Sequence, residues 1–155
     1  MNDRAMHHPI YNMLNHYRAD NPGVRQNLYR LLTHGTLGHT GKILMYSVDQ
    51  GFEVGPDQVF GEFSHGYDPW FHFKLACAGK LSAIAAPIGV METSVDQFLG
   101  KIPLILKLNA NNNMMPKDSN KRYQAVISNV DDALRLGCIG IGFTIYPGSE
   151  DSYAM

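Results

Sequence analysis

Cysteine is nearly absent, with two residues, Cys77 and Cys138, in a chain of 155. They lie far apart and form neither a CxxC pair nor a Cys/His ligand spacing, which excludes a disulfide framework as the organising device. Each falls near the end of a predicted helix and reads as a small buried apolar residue. An excess of charge is missing too. The formal net charge is −1 and the pI is near 6.6, which argues against a nucleic-acid or anionic-membrane binder. No run approaches the ~20 apolar residues that a membrane helix needs. Residues 1–12 (MNDRAMHHPIYN) lack the apolar stretch of a signal peptide. A soluble protein of the reducing cytoplasm is expected. The seven histidines offer no metal spacing. His7 and His8 adjoin at the terminus, His34 and His39 surround a turn, and His65 and His72 flank a helix start without a third ligand.

What the chain does have is alternation. Residues 24–34 (VRQNLYRLLTH) carry Val24, Leu28, Leu31 and Leu32 at helical spacing, with Gly35 placed to end the helix and Asn21-Pro22-Gly23 as a turn before it. Residues 1–40 are therefore expected to form a helical extension. From residue 41 onward, strand and helix signals take turns. Apolar runs at 43–48, 81–88, 102–108 and 138–146 read as four strands, with Pro87 confining the second to the residues before it. Asp68-Pro69 marks a helix start, Asp as cap and Pro at the first helical position, and Gly79 ends it. Residues 94–99 form a short helix closed by Gly100, and residues 121–136 have helical periodicity up to Gly137. Strands buried on both faces and joined by helices imply a parallel sheet. Without a nucleotide-binding glycine fingerprint, such steps suit a small open sheet or half of an eight-stranded barrel, which takes ~250 residues.

In parallel α/β folds the chemistry sits at the C-terminal ends of the strands. That rule selects Asp49, Gln50 and Glu53 after the first strand, and Gly89 and Glu92 after the second. It further selects Lys107 and Asn109 at the third, and Tyr146, Gly148 and Ser149 at the fourth. Alternation puts Ser47 with Asp49 on one face, Ile105 with Lys107 and Asn109, and Gly142 with Thr144 and Tyr146. If those faces line a barrel, Asp49, Lys107 and Tyr146 converge at its mouth. Asp49 can relay protons or position an amine, or simply cap a turn. Lys107 in an apolar strand needs an anionic partner, Asp49 or a substrate phosphate, unless it snorkels to water. Tyr146 is a proton donor or a packing residue. Gly148 and Ser149 form a phosphate-friendly turn or a helix cap.

The segments SVDQGFE, GYDPWFHFKLA, AAPIGVMET, IPLILKLNA and DALRLGCIGIGFTIYPGS, in this order over residues 28–150, resemble the class I fructose-bisphosphate aldolases of archaeal and bacterial type. The resemblance implies the (β/α)8 TIM-barrel family, with residues 41–155 as the first half of the barrel, about four βα units, and strands five to eight beyond Met155. It implies cleavage of fructose 1,6-bisphosphate to dihydroxyacetone phosphate and glyceraldehyde 3-phosphate through a lysine imine, with no metal or cofactor. Asp49, Lys107 and Tyr146 match catalytic positions, and Gln50, Asn109, Gly148 and Ser149 match substrate-facing ones. The family's proton-donor tyrosine belongs to strand five and its imine-forming lysine to strand six, so the isolated chain is expected to be inactive. Where many members carry histidine after the strand-one glutamate, this chain has Val54. The expected partners are a phosphorylated sugar and, in the complete protein, further copies of itself. A lyase or thiolase of the same barrel family is the alternative, and a non-catalytic half-barrel that binds phosphosugar or a partner is another.

Overall fold

The computed structural model describes residues 9–111, 124–150 and 152–153. Helix α1 (Pro9–Asn15) and helix α2 (Pro22–Thr33) come first. Asn21 caps α2 by accepting a hydrogen bond from the Val24 N–H at 3.0 Å. The Asn-Pro-Gly segment is thus the cap and first turn of the helix rather than a separate turn, as proline at the first helical position allows. Ile10, Leu14 and Leu32 bury one another in a small core of their own, with Leu28 against it.

Gly35 follows α2 with φ +76°. A Cβ there would stand 2.3 Å from the Lys80 carbonyl oxygen, because the Thr36 N–H donates to that same oxygen at 2.7 Å. The close approach docks the end of α2 on the turn before the second strand. Gly35→Ala meets both a left-handed backbone and a backbone clash, so it is expected to cost about 2 kcal/mol or more. Urea denaturation of the variant checks this.

Four parallel strands form the sheet: β1 (Met45–Ser47), β2 (Ala83–Pro87), β3 (Leu104–Lys107) and, later in the chain, β6 (Gly140–Gly142). The spatial order is β1-β2-β3-β6, all pairs parallel. Each new parallel strand is laid on the same side of the previous one, so there is no topological switch point. That order is the one a (β/α) barrel requires and a doubly wound sheet lacks. Pro87 is the last residue of β2, paired in register with Lys107. A strand end tolerates proline because no further ladder N–H is needed there.

The crossovers explain the rest. After β1 come two short helices, α3 (Gln50–Glu53) and α4 (Pro56–Phe60), then a 3₁₀ turn at Ser64–Tyr67 and helix α5 (Pro69–Ala78). Asp68 caps α5 through the Trp70 N–H at 2.9 Å, as the Asp-Pro signal anticipates, and Gly79 is its C-cap. Helix α6 (Ile88–Ser94) starts directly from Pro87 and runs into a 3₁₀ turn at Val95–Gln97. The helix expected at 94–99 is therefore the tail of a longer segment, closed by Gly100 at φ +69°.

The expected helix at 121–136 is corrected more sharply. Strand β5 (Gln124–Val126) pairs antiparallel with β4 (Asn109–Asn111), and helix α7 spans only Val130–Arg135. Asn129 opens α7 with a reciprocal capping box to Asp132, which forbids helix upstream of it. Residues 121–123 lie outside the described part. Gly137, φ +68°, ends α7 as anticipated. The last strand is shorter than the run 138–146, and residues 147–150 form turns rather than a helix start.

Val48, Ile84, Ala86, Leu104, Leu106 and Leu108 pack against Phe73 and Ala76 of α5, Met91 of α6 and Ala133 of α7. This even-numbered face is the core, and Phe73 lies 5.2 Å ring to ring from Phe98. The odd-numbered face is not fully covered, contrary to the expectation of strands buried on both sides. Met45 and Ser47 are exposed, and Ala85 and Ile105 only half-buried, because no second layer among the described residues faces them. Among the described residues β1 and β6 each have a strand partner on one side only, and Leu44, Met45, Ile141, Phe143 and Ile145 stand exposed along those edges.

Both cysteines are half-buried against the core, Cys77 in the last turn of α5 and Cys138 after α7. Burial pushes the Cys138 thiol up to about 11. Alkylation by iodoacetamide at pH 8 is thus expected to run roughly a hundred-fold slower at Cys138 than at free cysteine, because the thiolate is the nucleophile. Mass spectrometry of timed aliquots reads this directly. No described helix is long and apolar enough to cross a membrane.

Candidate active site

At the C-terminal end of the sheet three ionisable side chains meet. Lys107, the last residue of β3, donates from Nζ to Asp49 Oδ2 and, at 2.5 Å, to Glu53 Oε1. The side chains retain 9, 13 and 18 % of their accessible surface for Lys107, Asp49 and Glu53, so the cluster is largely shielded. Alternation alone puts Asp49 and Lys107 on the odd face. The strand between them contributes Pro87, the in-register partner of Lys107, with Ala85 one pair earlier between Ser47 and Ile105.

Glu53 arrives by a local route. The Glu53 N–H donates to the Asp49 carbonyl at 3.0 Å, closing the single turn of α3. Positions i and i+4 share a helix face, so Asp49 and Glu53 address the same point. The turn is held from outside by Phe60. A Cβ on Gly51 would stand 2.9 Å from that ring and one on Gly66 2.6 Å, so the two glycines let the ring pass between α3 and the 3₁₀ turn. His72, buried in α5, completes the scaffold. Its Nε2–H donates to the Gly66 carbonyl at 2.7 Å, and its Nδ1 shares a hydrogen bond of 3.0 Å with the Tyr46 hydroxyl. Burial pushes the Tyr46 phenol up. His72 is thus a packing residue, as its isolation from other ligands implied.

Burial by itself would lower the Lys107 ammonium, but hydrogen bonds and charges from Asp49 and Glu53 outweigh it and hold the group above the usual lysine value. The cluster thus sets two acidic side chains on one cation. An amine so held has no free lone pair, which is the opposite of what an imine-forming lysine needs.

The other anticipated residues fall into two sets. Gln50 stands beside the cluster, its Oε1 accepting from the Asp49 N–H at 3.2 Å. Ser47, not singled out as a ligand, donates its hydroxyl to Asp49 Oδ1 at 3.3 Å. Asn109 is wholly buried. Its amide donates to the Thr144 carbonyl at 2.7 Å and accepts from the Thr144 N–H at 2.8 Å. The side chain imitates a neighbouring strand and carries the line of β6 up to the mouth. Tyr146 is half-buried, and among the described residues no hydrogen bond joins its side chain to Asp49, Lys107 or Glu53. Gly148, at φ +87°, turns the chain, and Ser149 bonds back to the Tyr146 carbonyl through its N–H at 3.2 Å and its hydroxyl at 2.9 Å.

Two cavities flank this sheet. One of about 340 Å³ opens beside Asp49 and is walled by Val48, Pro56, Phe60, Tyr67 and His72. A larger one of about 500 Å³ lies at the opposite strand ends, between Arg30 and His34 of the α2 end and Phe98, Pro103 and Ile139. Chemistry decides against the larger, because in this architecture the N-terminal face of the strands serves stability.

The comparisons agree with this geometry. Residues 43–155 match the description "DeoC/LacD family aldolase". A probable fructose-bisphosphate aldolase class 1 from Chlamydia muridarum is 33 % identical over 85 % of this chain and 37 % of its own length. The fructose-bisphosphate aldolase class 1 of Thermoproteus tenax is 30 % identical over 74 % of the chain and 41 % of its length. Among solved structures, an archaeal fructose-1,6-bisphosphate aldolase, whose catalytic lysine is covalently bound to the carbinolamine intermediate, superposes with a TM-score of 0.69. It is 26 % identical over 85 % of this chain and 48 % of that one. The chain thus spans less than half the length of these relatives. Its consecutive parallel βα units are part of a (β/α)8 TIM barrel, and the chain belongs to the DeoC/LacD aldolase family.

Proposed function

We propose that residues 41–155 supply the first four βα units of a class I, metal-independent fructose-bisphosphate aldolase, with residues 1–40 as a helical extension. The observation that carries this reading is the Asp49–Lys107 ion pair at the strand ends. It offers a carboxylate to move protons and a fixed cation to meet an anionic sugar, side by side. In this reading Asp49 takes and returns protons around the substrate, while Lys107 orders it by charge. Asn109 acts indirectly, holding residues 143–146 so that the turn at Gly148 and Ser149 faces the same mouth. Tyr146 and Gln50 line the approach. The imine is formed by a lysine contributed by the remaining barrel strands, and the substrate is a phosphorylated sugar.

The test is reconstitution. The chain is co-expressed with the segment of the Chlamydia muridarum relative that follows the matched region, and purified as a complex. Cleavage of fructose 1,6-bisphosphate by that complex is expected. A well-folded complex that binds the sugar without cleaving it, or that cleaves only another phosphosugar, overturns the assignment.

A further inference from the structure

One carboxylate is enough to neutralise Lys107, yet two converge on it. Bringing a second acid into a shielded site costs free energy through like-charge repulsion, so its presence calls for a reason. The two acids are not equivalent. Asp49 also accepts from Ser47, stands at the β1–α3 junction and forms part of the wall of the 340 Å³ cavity. Glu53 is not on that wall, and its side chain bonds Lys107 alone among the described residues. A whole local structure serves to place it, the one-turn helix α3 with Phe60 threaded between Gly51 and Gly66.

We propose that Glu53 is a positioning residue that keeps Lys107 charged and in place while Asp49 is protonated. The inference rests on the reading that Asp49 handles protons. Counting charge makes the role concrete. With both acids ionised the cluster carries −1, and a proton arriving on Asp49 takes it to zero. Without Glu53 the same proton would leave a shielded ammonium with no counter-charge and a +1 cluster. Glu53 therefore leaves Lys107 a counter-charge and stops it from swinging away when that happens. The other groups at the cluster, the Ser47 hydroxyl and the Gln50 amide, are neutral at every working pH.

The experiment uses the 155-residue chain and reads Lys107 itself. Its titration is followed by NMR of ε-carbon-labelled lysine, and its exposure by the rate of acetylation at pH 8, located by peptide mass. Asp49→Asn stands in for the protonated acid. In that variant Lys107 is expected to titrate as high as an ordinary lysine or higher, with acetylation rising less than three-fold. Adding Glu53→Gln is expected to lower the titration midpoint by at least one pH unit and raise acetylation ten-fold or more. Glu53→Gln alone, which leaves Asp49 in place, is expected to lower the midpoint by a few tenths and serves if the double variant does not fold. Identical Lys107 behaviour with and without Glu53 overturns the proposal. Failure to cleave the sugar after reconstitution would sink the aldolase reading but leave these readouts unmoved, so the two failures are separable.

Discussion

Replacing Lys107 by methionine is expected to destabilise the chain by about 3–5 kcal/mol, the range seen when one partner of a shielded ion pair is removed. The loss comes from what stays behind. Asp49 and Glu53 would face each other at the strand ends with no cation between them. Methionine keeps the length and apolar stem of the lysine, so packing against β2 is little changed. Urea denaturation near neutral pH measures the effect. The triple variant Asp49→Asn, Glu53→Gln, Lys107→Met removes the stranded charges and is expected to regain most of the loss. A loss below about 1 kcal/mol for the single variant would place the cluster among solvated surface pairs. The pH dependence follows from sign. The folded-state value of Lys107 lies above the ordinary lysine value of 10.5, so the stability it contributes is fully present below that pH. It is lost as pH rises through the higher folded value. The alkaline limb of a stability profile is accordingly expected to steepen above about pH 10.5 in the parent chain and not in the triple variant.

Asp49→Asn, introduced into the reconstituted barrel, is expected to lower kcat for fructose 1,6-bisphosphate cleavage by 10²–10⁴-fold, the usual contribution of a positioned proton-transfer group. Asparagine keeps the shape and a single acceptor oxygen, enough for either Ser47 or Lys107, and cannot take a proton. KM is expected to change by less than three-fold, because the cation that meets the anionic substrate remains, held by Glu53. A ten-fold rise in KM with kcat intact would make Asp49 a binding residue instead. Glu53→Gln is expected to fall between, with its largest effect where Asp49 is protonated.

Much of this candidate site is legible in the sequence. The two-residue repeat of a strand puts Asp49 and Lys107 on the same face, and their place at the strand ends follows from the architecture. The Asp68-Pro69 start of α5 and the Gly137 stop of α7 are local signals that tertiary structure left alone. Other features depend on contacts that no local pattern records. Glu53 was selectable by position, but its aim at Lys107 depends on Phe60 meeting Gly51 and Gly66 across intervening turns. Asn109 reads as a substrate-facing amide until Thr144 is found occupying it. The stretch 124–136 shows why periodicity can mislead. Val126, Ile127 and Val130 fit a helical repeat, yet β-branched residues also suit a strand, and pairing with 109–111 decides for the strand. The capping box at Asn129 was the one local clue that the helix starts late.

In this reading Lys107 is a pinned ammonium at neutral pH that orders substrate and is not the amine that forms the imine. Incubating the 155-residue chain with dihydroxyacetone phosphate and borohydride, then reading the intact mass, tests this most directly. A full-length class I aldolase run alongside supplies the positive control. The account predicts an unchanged mass, because an ammonium shared by two carboxylates has no lone pair to attack a carbonyl. A covalent adduct mapped to Lys107 would contradict it and make this lysine the nucleophile.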